Sequence, residues 1–456
     1  MAHADVARID RGLGVVDASL IVVGSIVGGG IFLVSPEVAR SVASPAAFLG
    51  TWVLGGAVAL AGALSNGELG GLFPRSGGEY VYLSETYGPA VGFLSGWTSF
   101  WIAFPGSIAA LAEGFGGTLA SMTGPPGLVA PKAFGVAAVV VLTVVNALGL
   151  RPGKWLQNGL SVTKLGAFAV LLGLGFVVPV AGPAGLAGFF GGRDGIGGVA
   201  TALISVMFAY SGWNAATYVA GEMRDPSRSL GRALGLGTAL CAALYLAVNL
   251  AYLRAMPLSG LAATTDPARV TAIRLGGVVA ARFLSPLVAV SILSSLQATV
   301  LVGPRIYQAM AKDGLFFRPF GRAHATTGTP VVSLVAQGAV SIALLLAERF
   351  DQLLGYAMFA IVAFSTLTVA AVFVQRWRRP DAPRPFRVPG YPAIPALFIA
   401  ANLWMLWSVL VHGTQAAVTG CTILAMGVPV YAAFGRHRRS LAPPEPQEYP
   451  REKAPR

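Results

Sequence analysis

Charged residues are scarce in this sequence. Only 11% of its 456 residues are Asp, Glu, Lys or Arg, whereas 55% are hydrophobic. A soluble globular domain carries about 25% charged residues, so this chain has too few of them to cover a surface that faces water. A disordered chain is excluded as well, because it would contain few apolar residues. The composition therefore predicts a polytopic membrane protein.

Cysteine and histidine are also rare. Cys241 and Cys421 both lie inside apolar runs, which gives neither a disulfide framework nor the spacing of a metal site. The four histidines all lie in predicted tails or loops, so no histidine cluster for zinc or for proton relay falls within the membrane. The phosphate-binding motif G-x-x-x-x-G-K-[ST] does not occur, which excludes an ATP-driven motor in this chain. We therefore expect no cofactor, no metal and no enzyme activity.

Apolar runs long enough to cross about 30 Å of hydrocarbon occur twelve times, which predicts an all-α protein with twelve transmembrane helices. The first run is too long and too rich in glycine for a cleaved signal peptide. The predicted spans are 15–43, 46–72, 89–120, 132–150, 156–181, 196–221, 231–255, 277–311, 330–347, 352–376, 392–411 and 415–434.

Lys and Arg are distributed unevenly between the two sides of the predicted membrane. The side that holds both termini carries 23 of them and the opposite side carries 8. Basic residues are enriched in cytoplasmic loops, so we predict a plasma (inner) membrane protein with both termini in the cytoplasm. The net charge of +13 is spread over short clusters between apolar runs, which argues against a nucleic-acid partner and for contact with membrane lipid.

Two predicted spans contain segments that do not favour a continuous helix. The first span contains GSIVGGG at 24–30, and three successive glycines cost about 3 kcal/mol of helix propensity relative to alanine. The sixth span contains FAYSGWN at 208–214. Close helix packing is the alternative interpretation of either segment alone. The two segments occupy equivalent positions in two five-helix halves, and this pairing predicts an inverted-repeat transporter with discontinuous helices.

Discontinuous helices expose backbone polar groups near the centre of the membrane. The N–H groups at the start of a half-helix attract an anion, and the carbonyls at the end of a half-helix attract a cation. An α-amino acid is the simplest ligand that carries both charges close together. Lys164, about nine residues into the fifth span, is a further functional candidate because a buried ammonium costs at least about 2.5–3.5 kcal/mol unless it is paired or hydrated. The alternative is that its side chain reaches the membrane surface.

The sequence resembles the amino acid–polyamine–organocation superfamily, and within it the L-type amino-acid transporters and their prokaryotic relatives. The similarity runs nearly end to end, and its motifs follow one another in order. They include IVGGGIF at 26–32, PRSGGEY at 74–80, FAYSGWN at 208–214 and RVPGYP at 387–392.

The resemblance implies a LeuT-like fold, in which ten core helices form two inverted five-helix repeats and two further helices are peripheral. The implied organisation is a cytoplasmic segment 1–14, a first repeat 15–181, a second repeat 196–376, peripheral helices 392–434 and a cytoplasmic tail 435–456.

The resemblance also implies where a substrate binds. The backbone amides that would hold its carboxylate belong to Gly28, Gly29 and Gly30. The backbone carbonyls that would receive its amino group belong to Ile26, Phe208, Ala209 and Ser211. The ring of Phe208 would close over the substrate as a gate. Position 29 departs from the family, which often has serine there, so the hydroxyl of that serine is missing.

Two further residues are implied to take part in gating or coupling. Lys164 matches the lysine that, in sodium-independent members, stands where sodium-coupled relatives bind a cation, and its ammonium would tie the fifth helix to the broken first helix. Tyr252 aligns with a tyrosine of the seventh helix that is often associated with that lysine.

The expected function is therefore secondary active transport of amino acids, first of all neutral L-amino acids, by alternating access. Sodium-independent exchange and proton-coupled symport both remain open, so protons are an alternative partner. A transporter of cationic amino acids or polyamines is an alternative, although no acidic residue lies in the broken segments. A non-transporting amino-acid sensor of the same fold is another. Eukaryotic relatives often use a single-pass partner, but nothing in this sequence marks a site for one, so we expect no accessory subunit.

Overall fold

The computed structural model describes residues 14–74, 77–123, 131–179, 190–191, 196–324, 327–412 and 414–441. Within these ranges the chain is helical and contains no β-strand. The α-helices are α1 Val15–Ile26, α2 Gly29–Ser41, α3 Pro45–Leu72, α4 Glu79–Tyr87, α5 Pro89–Thr98, α6 Phe104–Thr123, α7 Pro131–Ala147, α8 Leu150–Val177, α9 Ile196–Ala209, α10 Pro226–Ala255, α11 Leu258–Ala263, α12 Pro267–Lys312, α13 Val331–Ala347, α14 Phe350–Arg378, α15 Ala393–His412 and α16 Thr414–Leu441. A π-helical turn, Ser99–Ala103, joins α5 to α6, and 3-10 turns occupy Ala215–Glu222 and Arg318–Gly321.

The chain is a multi-pass membrane protein. Seven described helices are long and apolar enough to cross a membrane, and the bent pair α1 and α2 brings the number to as many as eight. Three other apolar helices are shorter, and they lie at Pro131–Ala147, Gly198–Ala209 and Val331–Ala347. Helix occupies part of each of the twelve predicted spans, in one or more pieces. The membrane-spanning character is thus clear from length and composition, since about 20 apolar residues are needed for one crossing.

The helix is interrupted in both segments where the sequence predicts an interruption. In the first span α1 ends at Ile26, α2 begins at Gly29, and the two axes differ by 48°. In the sixth span α9 ends at Ala209, turns follow through residues 210–214, and the 3-10 turn then begins at Ala215. Unwound backbone inside a membrane is tolerated only where protein or a cavity surrounds it, so these two breaks point to a protected site.

The two breaks pack directly against each other. A Cβ atom on Gly30 would lie 2.7 Å from the Cα of Ala209, which is closer than two non-bonded carbon atoms can approach. Gly212 has a φ of +103°, a backbone conformation that residues other than glycine rarely adopt. A Cβ atom at this position would lie 2.9 Å from the Cβ of Ser25. Glycine is therefore required on both sides of this contact, and the two unwound segments form one structural unit.

One departure from the predicted boundaries in the second half of the chain lies at the eighth predicted span. Helix α12 begins at Pro267, whereas the predicted span begins at residue 277. Gly277 has a φ of +74°, so it interrupts α12 and separates a short preceding helix from the transmembrane part. The start of the apolar run thus coincides with the kink, and α12 extends from there ten residues further towards the N-terminus.

An ion-pair network fixes the end of α3 against two other elements. The carboxylate of Glu68 accepts hydrogen bonds from Nε of Arg376 at 2.8 Å and from Nη2 of Arg376 at 2.7 Å. It also accepts a hydrogen bond from the backbone N–H of Val388 at 2.8 Å, and Nε of Arg384 lies 3.4 Å away. Because Glu68 is buried, this bidentate pair compensates the cost of placing its charge there.

Candidate functional site

A cavity of about 160 Å³ lies at the junction of the two breaks. An apolar cavity of about 150 Å³ holds a molecule of the size of benzene, so this volume suits a small organic molecule. The residues of the broken spans that line it are Ser25, Ile26, Gly30, Phe208, Ala209, Ser211, Gly212, Trp213 and Asn214. Of the seven residues expected to bind substrate, the structure thus brings Ile26, Gly30, Phe208, Ala209 and Ser211 to one cavity.

Gly28 and Gly29 are not among the described lining residues. The backbone N–H of Gly29 donates a hydrogen bond to Oγ of Ser295 at 3.0 Å, so this amide already has a partner. A Cβ atom on Gly28 would collide with the same Oγ atom, and a Cβ atom on Gly29 would lie 3.1 Å from atoms of Ile292. Helix α12 therefore packs so closely against the first break that only glycine fits at position 28.

Ser295 was not identified from the sequence, yet it borders the cavity. It places a serine hydroxyl next to the amide of residue 29, where the resemblance implies that relatives carry a serine of their own. Its Oγ accepts from Gly29, which leaves its own proton able to donate to a ligand. The signal available in the sequence was the polar segment SILSSLQ at 291–297 within an apolar span, because such residues inside a membrane usually face protein or a cavity.

The carbonyls at the two helix ends share one hydroxyl donor. Tyr245 on α10 lies with its hydroxyl 2.5 Å from the carbonyl oxygen of Ile26 and 3.1 Å from that of Ala209. Each carbonyl has two lone pairs, so each can accept a second hydrogen bond from a ligand. The carbonyl of Phe208 accepts the N–H of Ser211 at 3.0 Å. Two helix C-termini, with their partial negative charge, therefore converge at the cavity.

Lys164 is buried and connects α8 to the first break. Its Nζ atom donates a hydrogen bond to the carbonyl oxygen of Gly24 at 2.6 Å, and its side chain is only 1% exposed. Gly24 lies in the last turn of α1, whose carbonyls have no partner further along the helix. The ammonium is therefore directed at the negative end of a helix dipole, which stabilises a positive charge.

Tyr252 is not among the described residues that line the cavity. Its hydroxyl is buried and has no hydrogen-bond partner among the described residues, while Asp266 acts on it electrostatically. Tyr245, seven residues earlier on the same helix, contacts the broken spans instead. Tyr245, Asn249 and Tyr252 follow the spacing i, i+4 and i+7, so the sequence places them on one helix face but does not say which of them meets the break.

A carboxylate that the sequence placed in a loop also reaches the cavity. Glu79 is the first residue of α4, and its Oε1 accepts a hydrogen bond from Nδ2 of Asn214 at 3.2 Å. Glu79, Tyr80 and Tyr218 line the same cavity as the two breaks. The sequence analysis did not identify this acidic group because it lies outside every predicted span. Only the folded chain brings it into contact with Asn214 of the sixth span.

Comparisons with known proteins show which family this chain resembles along most of its length. The sequence pattern of the family described as "Amino acid permease" matches residues 13–434. The serine/threonine exchanger SteT of Bacillus subtilis (strain 168) is 31% identical over 444 residues, which cover 96% of this chain and all of that protein. The b(0,+)-type amino acid transporter 1 of Mus musculus is 28% identical, with 95% of this chain and 91% of that protein covered. Large neutral amino acids transporter small subunit 2 of Homo sapiens is 31% identical, with 93% of this chain and 80% of that protein covered.

Proposed function

The chain belongs to the amino acid permease family, and from that premise we propose that it exchanges small neutral L-amino acids by alternating access. It is an amino acid permease and not an enzyme. The observation that carries the proposal is the convergence of two interrupted helices on one small cavity. The volume of about 160 Å³ and the serine/threonine specificity in the name of SteT both favour small substrates.

In the proposed complex the substrate carboxylate binds at the start of α2. Gly30 lines the cavity, and its amide belongs to the first turn of α2, where N–H groups have no partner within the helix. This amide donates to the carboxylate, and the hydroxyl of Ser295 donates a second hydrogen bond while it continues to hold the amide of Gly29. The amide of Gly28 completes the positive end of the helix dipole. A carboxylate is thereby held by fixed donors that need no rearrangement.

The amino group binds on the opposite side of the proposed site. The carbonyls of Ile26 and Ala209 end the two half-helices, and the carbonyls of Phe208 and Ser211 complete the set of acceptors. The ring of Phe208 lies at the cavity wall, where it closes over the bound substrate as a gate. Neither broken span places a charged side chain on the described cavity, which favours neutral side chains over cationic amino acids and polyamines. The one carboxylate among the described lining residues, Glu79, belongs to α4 and accepts a hydrogen bond from Asn214.

Twelve transmembrane helices in two inverted repeats are the architecture that we propose, with both termini in the cytoplasm of a plasma membrane. The support is the helix found in each of the twelve intervals and the pairing of the two breaks across the halves. The uneven distribution of Lys and Arg supports the orientation. Rocking of one helix bundle against the other would then expose the cavity to each side in turn.

Lys164 supports sodium-independent transport. Its ammonium donates to the Gly24 carbonyl at the end of α1, where an unwound helix would otherwise offer oxygen ligands to a cation. A buried positive charge at this place repels a sodium ion. We propose that Lys164 links α8 to the first break during the cycle, and that Tyr252 supports the same helix α10 on which Tyr245 lies.

The chain is proposed to act without an accessory subunit. SteT, which the chain covers completely, is named as an exchanger, whereas the human relative is named as a small subunit. The substrate is an amino acid in either case. Purified chain that transports after reconstitution alone would support the proposal, and a requirement for a second protein would contradict it.

The test is counterflow in liposomes that contain only the purified chain. Uptake of labelled serine, threonine, alanine and leucine is measured with and without unlabelled amino acid inside, and with sodium replaced by choline. We expect uptake to require internal amino acid and to be unchanged without sodium. Sodium-dependent uptake would contradict the role given to Lys164. Binding without any flux would assign the chain to the sensor class.

A further inference from the structure

Glu79 enters the cavity because of two glycines that precede it. Gly77 and Gly78 have φ values of +132° and +56°, and a Cβ atom on Gly78 would lie 2.5 Å from the ring of Tyr218. This left-handed turn presses the start of α4 against the residues that follow the sixth-span break. The backbone conformation of this turn thus places the carboxylate of Glu79 next to the unwound segment.

The carboxylate has one hydrogen bond and no cationic partner among the described residues. Oε1 accepts from Asn214, while no hydrogen bond to Oε2 and no ion pair of Glu79 occurs in that part of the chain. The titratable groups that interact with it are the phenols of Tyr82 on α4 and of Tyr218 beyond the break. The neighbouring Tyr80 donates to Asp313 at 2.7 Å, so that carboxylate is engaged elsewhere.

Burial raises the pKa of Glu79 to about 7, and the hydrogen bond from Asn214 opposes this rise only in part. A carboxyl group with such a pKa changes its charge within the range of cytoplasmic pH. The ionised form accepts the hydrogen bond of Asn214 with charge assistance, which makes that bond roughly twice as strong as a bond to the neutral form.

We propose that Glu79 is a proton-binding residue of the substrate cavity, and that its ionisation sets how tightly α4 holds the unwound segment of the sixth span. The proposal rests on the transport function proposed above, and it adds the proton as a second ligand of the substrate cavity. Asn214 must move when the sixth span changes conformation, and its bond to Glu79 resists that movement. The neutral carboxyl releases Asn214 more readily, so protonation accelerates the cycle and deprotonation slows it.

The first test is the pH profile of counterflow in liposomes, with the same pH inside and outside so that the orientation of insertion does not matter. For the native chain we expect the exchange rate to fall about fivefold between about pH 6 and about pH 8, with its midpoint near 7. Glu79→Gln, which keeps a neutral hydrogen-bond acceptor, should exchange at the rate of the native protein at low pH and lose this dependence. Glu85→Gln, an exposed glutamate of the same helix, is the matched control and should keep it.

The second test counts protons directly. Calorimetric titration of the native chain with amino acid in two buffers of different protonation enthalpy reports whether substrate binding takes up or releases protons. We expect a fractional proton near pH 7 for the native chain and none for Glu79→Gln, which should still bind substrate. Retained binding separates the loss of a proton site from misfolding.

The outcomes distinguish this proposal from the proposed function. A native chain that exchanges with a pH profile unchanged by Glu79→Gln would overturn the proton site and leave the transport function intact. A native chain with no flux at any pH would contradict the transport function itself. Exchange by Glu79→Gln that stays slow at all pH values, with binding retained, would also overturn the proposal, because the carboxylate would then be needed in its ionised form.

Discussion

The hydroxyl of Tyr245 lies between the carbonyls of Ile26 and Ala209, the residues at which the two half-helices α1 and α9 end. Both carbonyls carry the negative end of a helix dipole, and a hydroxyl donor partly neutralises them. In the proposed complex the ammonium group of the substrate meets the same two oxygens. At the scale of single residues, Tyr245 therefore keeps the breaks together in the absence of substrate, and the substrate adds to a contact that already exists.

Tyr245→Phe removes this donor without changing the volume of the core. We expect the exchange rate to fall about two- to tenfold, the cost of losing one buried hydrogen bond to two carbonyls. Tyr252→Phe is the matched control, because its hydroxyl has no partner among the described residues, and it should change little. Counterflow of labelled serine by the two variants measures the difference. A larger loss in Tyr252→Phe would mean that Tyr252 is the coupling residue.

Ser295→Ala tests the hydroxyl that α12 supplies to the first break. The change leaves the amide of Gly29 without its partner and removes a donor for the carboxylate, so the substrate KM should rise about tenfold. Ser291→Ala, one turn earlier on the same helix, removes a buried hydroxyl that has no hydrogen bond to the described part of the chain, and it should be neutral. A KM that stays constant in Ser295→Ala would show that the substrate carboxylate does not use this serine.

At the scale of the elements, the two breaks form one unit because glycines allow the backbones to touch. Gly212→Ala introduces a methyl group against Ser25 at a φ of +103°, so we expect it to abolish exchange or to destabilise the protein by more than about 1 kcal/mol. Gly24→Ala is the control from the other break, since a Cβ atom there would have no described residue within 4 Å beyond its own turn of helix. Counterflow and thermal unfolding in detergent separate loss of movement from loss of folding.

The position of the first break could be predicted from the sequence, because three successive glycines raise the local cost of helix whatever surrounds them. The second break was predicted from the small and polar residues in FAYSGWN and from its equivalent position in the other half of the chain. The residues that complete the site could not. The choice between Tyr245 and Tyr252 depends on the rotation of α10 against the breaks, which a seven-residue spacing leaves open. Ser295 and Glu79 reach the cavity only through contacts between distant segments, and sequence periodicity carries no information on these.

At the scale of the whole molecule, Glu68 joins α3 to α14 and to the segment that follows it. Glu68→Gln leaves the guanidinium groups of Arg376 and Arg384 without their carboxylate, so we expect a loss of about 3–5 kcal/mol in stability, seen as a lower melting temperature in detergent. Glu37→Gln breaks an exposed pair with Arg40 and should cost less than about 1 kcal/mol. Equal melting temperatures for the two variants would contradict a structural role for the Glu68 network.

The central claim is that two broken helices form a single site for the carboxylate and the amino group of one amino acid. The most direct measurement is competition in the counterflow assay, in which L-alanine is compared with ethylamine and with propionate, each of which lacks one of the two charged groups. The account predicts that L-alanine inhibits uptake of labelled serine and that neither fragment does so at a hundredfold higher concentration, since about 3 kcal/mol separates a molecule held at both ends from one held at one. Inhibition by either fragment at the concentration of L-alanine would contradict a site that binds both charged groups.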